Sequence, residues 1–163
     1  YGATTIGPYC LAGGEIKNSV LMGYSNKAHD GYLGDSVIGE WCNLGAGTSN
    51  SNLKNNCGDI SYWVHADKKQ ISAGNKGGLL LGDYSKSAIN TSFNTGTVVG
   101  ICSNVFAQGL TPKYIPHFSW GCDGITRYKL SNALDDIDKW KQLKGFSITE
   151  KEKQILTDIY KKF

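Results

Sequence analysis

The sequence predicts a mainly β protein: a parallel β-helix of six-residue repeats, interrupted by an inserted loop and followed by a helical tail. Three observations predict it. Apolar residues followed by glycine or another small residue recur, as Ile6-Gly7, Leu11-Ala12, Leu33-Gly34, Ile38-Gly39 and Leu44-Gly45. A second run keeps strict six-residue steps through Leu81, Ser87, Phe93, Val99 and Val105. Two positions before the steps the residue is small: Ser19, Ser25, Gly31, Ser36 and Cys42, then Ser85, Thr91, Thr97 and Ser103. An amphipathic helix needs a period of 3.6, and a hairpin needs an alternation of two between turn residues. A period of six with two inward positions describes instead a short strand and a corner, three of which close one coil. Stacked in parallel, each coil buries its apolar residue under the next. The small inward residue fits a narrow interior, and glycine permits positive φ at the corners. Thirteen steps, eight from Ile6 and five from Leu81, make roughly four coils.

The elements follow in order. The first run gives a short strand at each step from Ile6 to Leu44, passing through Leu21, Lys27 and Leu33. Residues 50–79 break the repeat with Asn-Asn, Gly-Asn and Gly-Gly punctuation. They hold two short β-like runs, Ile60–Val64 and Gln70–Ser72, and so predict a protruding loop carrying a hairpin. Long excursions from a compact repeat are usually functional or disordered. From Thr111 the hexads end, and Pro112 and Pro116 bracket an irregular stretch up to Gly121. Two helices follow. Leu130, Leu134, Ile137 and Trp140 share one face, with Ser131 near the start as a cap. Ile155, Leu156, Ile159, Tyr160 and Phe163 share another, behind the capping-box spelling Thr149-x-x-Glu152. The expected organisation is residues 1–121 as coils with an insertion at about 50–79, and residues 122–163 as a helical extension. That extension would cap or staple a stack whose end strands are otherwise exposed.

Composition excludes several classes. Glycine is 21 of 163 residues, about 13% against an average near 7%, as a corner-rich fold requires. Only 19% of residues are charged and no single-sign block occurs, which argues against wholesale disorder. No apolar run approaches the ~18 residues of a membrane span. The net charge, 17 − 14 = +3, with Arg127 the one arginine, is too small to indicate nucleic acid. Cys10, Cys42, Cys57, Cys102 and Cys122 lie far apart with no C-x-x-C pair. No metal site is expected, and buried reduced thiols in a cytoplasmic protein are. Without a signal-peptide pattern after Tyr1, the chain reads as a fragment or a processed product.

The chemistry-bearing stretch runs from Glu15 to Asn52: EIKNSVLMGYSNKAHDGYLGDSVIGEWCNLGAGTSNSN. Its centre is Lys27-Ala28-His29-Asp30-Gly31-Tyr32-Leu33-Gly34-Asp35, with Asn43-Leu44-Gly45-Ala46-Gly47-Thr48 downstream. This block resembles the acyltransferase half of the bifunctional N-acetylglucosamine-1-phosphate uridyltransferase / glucosamine-1-phosphate acetyltransferase family. The wider resemblance, to sugar acyltransferases and their nucleotidyltransferase-fused relatives, covers roughly Ile6 to Leu110. It implies left-handed coils, a homotrimer, and active sites in clefts between subunits. It also implies acetyl-CoA as acyl donor and a small sugar phosphate as acceptor. His29 falls on the family's catalytic base, and Lys17 and Tyr32 fall on contacts to the phosphate. Asn43 and Asn52 fall on residues that position the acceptor, and Ala46 on one whose backbone lies beside acetyl-CoA.

The chemistry is coherent. A neutral imidazole, with an ordinary pKa near ~6.5, can take a proton from an attacking amine. A cationic Lys17 and a donor hydroxyl on Tyr32 suit a phosphate dianion. A backbone N–H near Ala46 suits the charge that develops on a thioester oxygen. Taken as residues alone, His29 and Lys17 also describe solvated surface groups, and Tyr32 describes cover for an inter-subunit face. Asn43 and Asn52 describe corner residues. His65 and His117 read as structural. The sequence departs from the family after Asn52: Leu53 stands in place of a tyrosine, and Gly58 in the approximate place of a lysine for which Lys54 could substitute. Ile89 stands near a family serine, and helices replace a basic tail. Two functions therefore remain. One is an acetyl-CoA-dependent N-acetyltransferase acting on an amino-sugar 1-phosphate or nucleotide-sugar. The other is a catalytically weak β-helix that trimerises an upstream nucleotidyltransferase.

Overall fold

A computed structural model describes all residues, Tyr1–Phe163. Its strands are mostly two residues long and stack in parallel on three faces, so the chain winds as a column. The first face carries six strands: Thr5–Ile6, Val20–Leu21, Val37–Ile38, Leu80–Leu81, Val98–Val99 and Tyr114–Ile115. The second carries Leu11–Ala12, Asn26–Lys27, Asn43–Leu44, Lys86–Ser87 and Asn104–Val105. The third is built from two pairs, Glu15–Lys17 with Tyr32–Gly34 and Ser49–Asn50 with Ser92–Phe93. The fold is the expected left-handed β-helix with a C-terminal helical tail.

Six strands on one face mean six coils, where the apolar steps counted roughly four. The difference has physical causes. Asn50 fills an inward slot as a polar residue, its carboxamide accepting from Gly34 N–H (2.9 Å) and donating to Gly34 O (3.0 Å). It stands in for the strand pairing the third face lacks there. Ile115 fills another slot between Pro112 and Pro116 and is fully buried.

The core is a vertical register. Leu21, Ile38, Leu81, Val99 and Ile115 sit directly over one another on the first face. Each such buried side chain stabilises the column by about 1.5–3 kcal/mol. The small residues before the steps are buried too, and their hydroxyls replace water for corner backbone groups. Ser25 Oγ donates to Gly39 O (2.6 Å) and accepts from Cys42 N–H (2.9 Å). Ser85 repeats the pattern two coils on, and at the corner between the third and first faces Ser36 Oγ donates to Gly34 O and accepts from Leu79 N–H. The glycines after the apolar steps act differently from expectation. Gly7 and Gly39 are not among the positive-φ residues. A Cβ on Gly39 would lie 2.8 Å from the Asp83 backbone nitrogen, so this glycine permits close approach between coils.

The winding is interrupted after Asn50, at the end of the third coil, and resumes at Leu80 in the fourth. Within the insertion, Ser61–Val64 pairs antiparallel with Lys69–Ser72. Past the last coil come α1 (Leu130–Gln142) and α2 (Glu150–Lys162). Thr149 and Glu152 form the reciprocal capping box of α2. Ser131 does not cap α1; it lies inside the helix, and Lys129 holds the cap position with no side-chain bond. The tail runs along the flank of the column as a brace. Ala133, Ile137, Ile148 and Leu156 bury themselves against Cys102 and Phe118. Further along, Lys144 Nζ reaches back to Tyr9 O (2.6 Å) in the first coil. No helix is long and apolar enough to cross a membrane.

Candidate functional site

Strand alternation decides which side chains the third face shows outward. Ile16 and Leu33 turn in, so Glu15, Lys17 and Tyr32 turn out, with Glu15 paired to Tyr32 and Lys17 to Gly34. The Tyr32 ring lies flat across Gly34: a Cβ at position 34 would stand 2.0 Å from the phenol oxygen. Glycine here is a seat for the ring. The phenol ends at the next corner, where Asn52 Nδ2 donates both to Tyr32 Oη (2.9 Å) and to Asp35 Oδ2 (2.6 Å). Asp35 Oδ1 accepts from Asn18 Nδ2 (2.5 Å). Burial raises the Tyr32 pKa, and the nearby charges of Asp35 and Glu15 add to it, so the phenol stays protonated. Lys17 is exposed and makes no ion pair.

His29 stands at the opposite end of the same strand, on the corner joining the second and third faces. It is exposed, and its imidazole bonds to no protein atom. The corner beneath it is fixed from inside. Lys27 is buried in an inward slot, and its ammonium donates to the carbonyls of His29 (2.5 Å), Asp30 (2.8 Å) and Gly13 (3.4 Å). Burial holds the Lys27 pKa below the ordinary lysine value. Ala46 occupies the same corner one coil later. Its carbonyl accepts from Asn90 N–H (2.7 Å), and its own N–H donates to no backbone carbonyl.

The structure therefore joins Tyr32 to Asn52 directly, sets Lys17 beside them in register, and puts His29 and Ala46 on the neighbouring corner. It does not bring Asn43 to this group. Asn43 lies on the second face, in register with Asn26 and Lys86, and lines a cleft of about 320 Å³ under Trp140 and Trp120. Lys54 turns its ammonium onto Asp59 O of its own loop. Four residues that the family resemblance does not mark also shape the site: Asp35, Asn18, Lys27 and Tyr62. Tyr62 comes from the inserted hairpin, donates to Gly78 O (3.2 Å), and feels Asp35 through its raised pKa, burial being the larger cause. Asp35 and Lys27 lie within the quoted motif, and their spacing was visible; their partners were not.

An exposed imidazole, a free ammonium and a phenol whose oxygen already accepts a hydrogen bond can receive a proton and bind an anion. The other histidines are engaged elsewhere. His65 Nδ1 shares a hydrogen bond with Tyr114 Oη (2.5 Å), and His117 Nδ1 accepts from Ile101 N–H (3.0 Å). Burial, then the neighbouring His65, pushes the His117 pKa down. No group of His, Cys, Asp or Glu is arranged to hold a metal ion. All five cysteines are free; Cys42 is buried with its pKa pushed up to about 12 by desolvation, whereas Cys57 is exposed.

No model of a known protein family matches the chain. Curated proteins do. The "Bifunctional protein GlmU" of Methanocaldococcus jannaschii is 37% identical over 86 residues, which are 53% of this chain and 21% of that protein. The protein of the same name from Methanococcus aeolicus is 35% identical over 96 residues, 59% of this chain and 23% of its own length. The "Bifunctional sugar-1-phosphate nucleotidylyltransferase/acetyltransferase" of Sulfurisphaera tokodaii is 36% identical over 93 residues, 56% of this chain and 23% of its own length. The family resemblance stated from the sequence is borne out. The chain spans under a quarter of the length of these relatives.

Proposed function

We propose that this chain is an acetyl-CoA-dependent N-acetyltransferase module acting on an amino-sugar 1-phosphate or nucleotide-sugar, part of a bifunctional sugar-1-phosphate nucleotidyltransferase/acetyltransferase in the cytoplasm. The observation that carries it is the exposed, unbonded His29 imidazole on a corner fixed from within. In this reading the acceptor's neutral amine attacks the acetyl carbonyl of acetyl-CoA. The new C–N bond forms, His29 takes one amine proton, and the C–S bond breaks to release the thiolate, which regains a proton. In the same reading the Ala46 N–H, which donates to no backbone carbonyl, donates to the carbonyl oxygen as charge develops on it. Lys17 and Tyr32 hold the phosphate, with Asn52 beside them. These residues span one face and two corners with no wall opposite. A homotrimer, with a second copy closing the cleft and bringing an Asn43 to the acceptor, would complete the site.

His29→Ala should abolish CoA release with glucosamine 1-phosphate and acetyl-CoA while the oligomer persists in light scattering. Turnover retained in that variant would refute the role. One observation favours a second reading, a catalytically weak trimerisation module of an upstream nucleotidyltransferase. Lys54, the one replacement for the family's loop lysine, is folded onto its own loop. Calorimetric titration with acetyl-CoA separates the two: no heat at millimolar ligand favours the scaffold.

A further inference from the structure

The corner between the third and first faces carries a carboxylate that no part of the proposed chemistry consumes. Asp35 has a left-handed backbone (φ 49°) and is half-buried, with one oxygen on Asn18 of the coil before and the other on Asn52 of the coil after. Its backbone carbonyl accepts from Gly78 N–H (2.9 Å), and the Asn52 carbonyl accepts from Gly77 N–H (3.0 Å). The Asp35 side chain thus ties together the coils before and after it, and the backbone carbonyls of Asp35 and Asn52 hold the root of the inserted hairpin.

A carboxylate only accepts hydrogen bonds. The carboxamide facing it must therefore present nitrogen, and this settles which way round the Asn52 amide sits. With Nδ2 held there, its second hydrogen falls on Tyr32 Oη. The phenol oxygen is then an acceptor toward Asn52, and its single O–H proton is left to point elsewhere. Were the amide turned over, its oxygen would face the phenol and draw that proton inward. Asn52 has both of its N–H hydrogens committed to protein, so toward a ligand its Oδ1 can only accept, and its donor influence runs through Tyr32.

We propose that Asp35 is a positioning residue. By fixing the orientation of the Asn52 amide, it makes Tyr32 a hydrogen-bond donor toward the acceptor's phosphate. The inference rests on the acetyltransferase reading for the identity of the anion, and on the Asp35–Asn52–Tyr32 geometry for everything else. Gly34, which seats the ring, belongs to the same device.

Two measurements on the full chain test it. The first uses tyrosine labelled with ¹³C at Cζ and requires no ligand. Asp35→Asn keeps the shape but lets the amide turn over, and should shift the Tyr32 resonance and lower the pH at which Tyr32 ionises. The titratable groups facing this phenol are Asp35, Glu15 and the Tyr1 phenol. Glu15→Gln, which removes charge without touching the amide, is the comparison, and should move the ionisation while leaving the low-pH resonance in place. A low-pH Tyr32 resonance unmoved in Asp35→Asn overturns the proposal.

The second measures glucosamine 1-phosphate affinity by ³¹P NMR titration in a double-mutant cycle. Asp35→Asn and Tyr32→Phe should each weaken binding about tenfold, the loss of roughly one charge-assisted hydrogen bond. Together they should weaken it no more than Tyr32→Phe alone, because one residue acts through the other. Additive losses would make Asp35 a structural residue and overturn the proposal. If the unmodified chain does not bind this phosphate at all, the acetyltransferase reading falls, and the resonance measurement decides the positioning role by itself.

Discussion

Two corners of the same column, built from the same repeat, have been put to opposite uses. Between the first and second faces, left-handed positions hold Tyr9, Tyr24, Trp41 and Tyr84, with φ between 58° and 64°. Bulky residues are uncommon there, and the conformation costs about 1–2 kcal/mol each. The cost is offset by packing. Tyr9 stacks on Tyr24 at 5.0 Å and Tyr24 on Trp41 at 4.2 Å, the ring planes nearly parallel, with Phe146 edge-on to all three. Lys141 lies 4.9 Å from the Trp41 ring and bonds Glu152, which also accepts from Tyr84 Oη. Between the second and third faces the equivalent left-handed positions are Gly14, Gly31, Gly47 and Asn90, which adopt them with little strain. The side chains of that corner, His29 and Ile89 (69% exposed), engage nothing in the chain. A corner whose side chains are spent on each other is structural. One whose backbone is unstrained and whose side chains are uncommitted is free for a ligand or a second copy.

The sharpest way to break this contrast is to truncate one residue on each corner. Trp41→Ala removes a stacked, nearly buried indole and should cost about 3–5 kcal/mol in urea denaturation. His29→Ala should change stability by less than about 0.5 kcal/mol, as an exposed and unbonded side chain does. Equal losses would mean that the open corner is structural after all.

Lys27→Met sharpens the comparison from inside. It keeps the length and removes an ammonium that three corner carbonyls share, leaving them without a donor. The expected cost is about 2 kcal/mol. Hydrogen exchange should quicken at the Gly13 and Glu15 amides, whose acceptors Lys27 O and Gly31 O flank this corner. Exchange at Trp41, whose amide bonds Gly23 O on the braced corner, should hardly change.

How far the sequence showed all this depends on which groups had to face inward. The Leu-Gly and Ile-Gly steps were legible because a narrow interior admits only apolar or small side chains. Lys27 was marked as a step by its spacing, but the corner carbonyls that satisfy its ammonium were not legible, and Asn50 was missed because its carboxamide is satisfied by the Gly34 backbone one coil before. The aromatic stack was partly hidden by the insertion. Tyr9, Tyr24 and Trp41 recur at 15 and 17 residues, one coil each, whereas Tyr84 comes 43 later. Aligning coils on either side of residues 51–79 would have exposed that column. The resemblance supplied His29, Lys17 and Tyr32, but nothing in the spacing showed that Asp35 meets Asn18 and Asn52.

The smallest expected effect concerns the braced corner alone. Burial by itself would raise the Glu152 pKa. Hydrogen bonds from Lys141, from the Thr149 N–H and hydroxyl, and from Tyr84 outweigh it and hold the carboxyl at about 2. In the unfolded chain it would titrate near an ordinary 4.5. A folded pKa below the unfolded one stabilises the fold above about pH 4.5, and that stabilisation is lost as pH falls toward 2. The group is only partly shielded from solvent, so about 1 kcal/mol is expected once screening is allowed for. Near-ultraviolet circular dichroism from the Trp41 stack should therefore weaken between pH 5 and pH 3 at low denaturant. In Glu152→Gln the same loss should already be present at pH 7 and should not grow in acid. A variant whose acid response matched that of the unmodified chain would place the titrating group elsewhere, and would remove the Glu152 link between helix α2 and the aromatic corner.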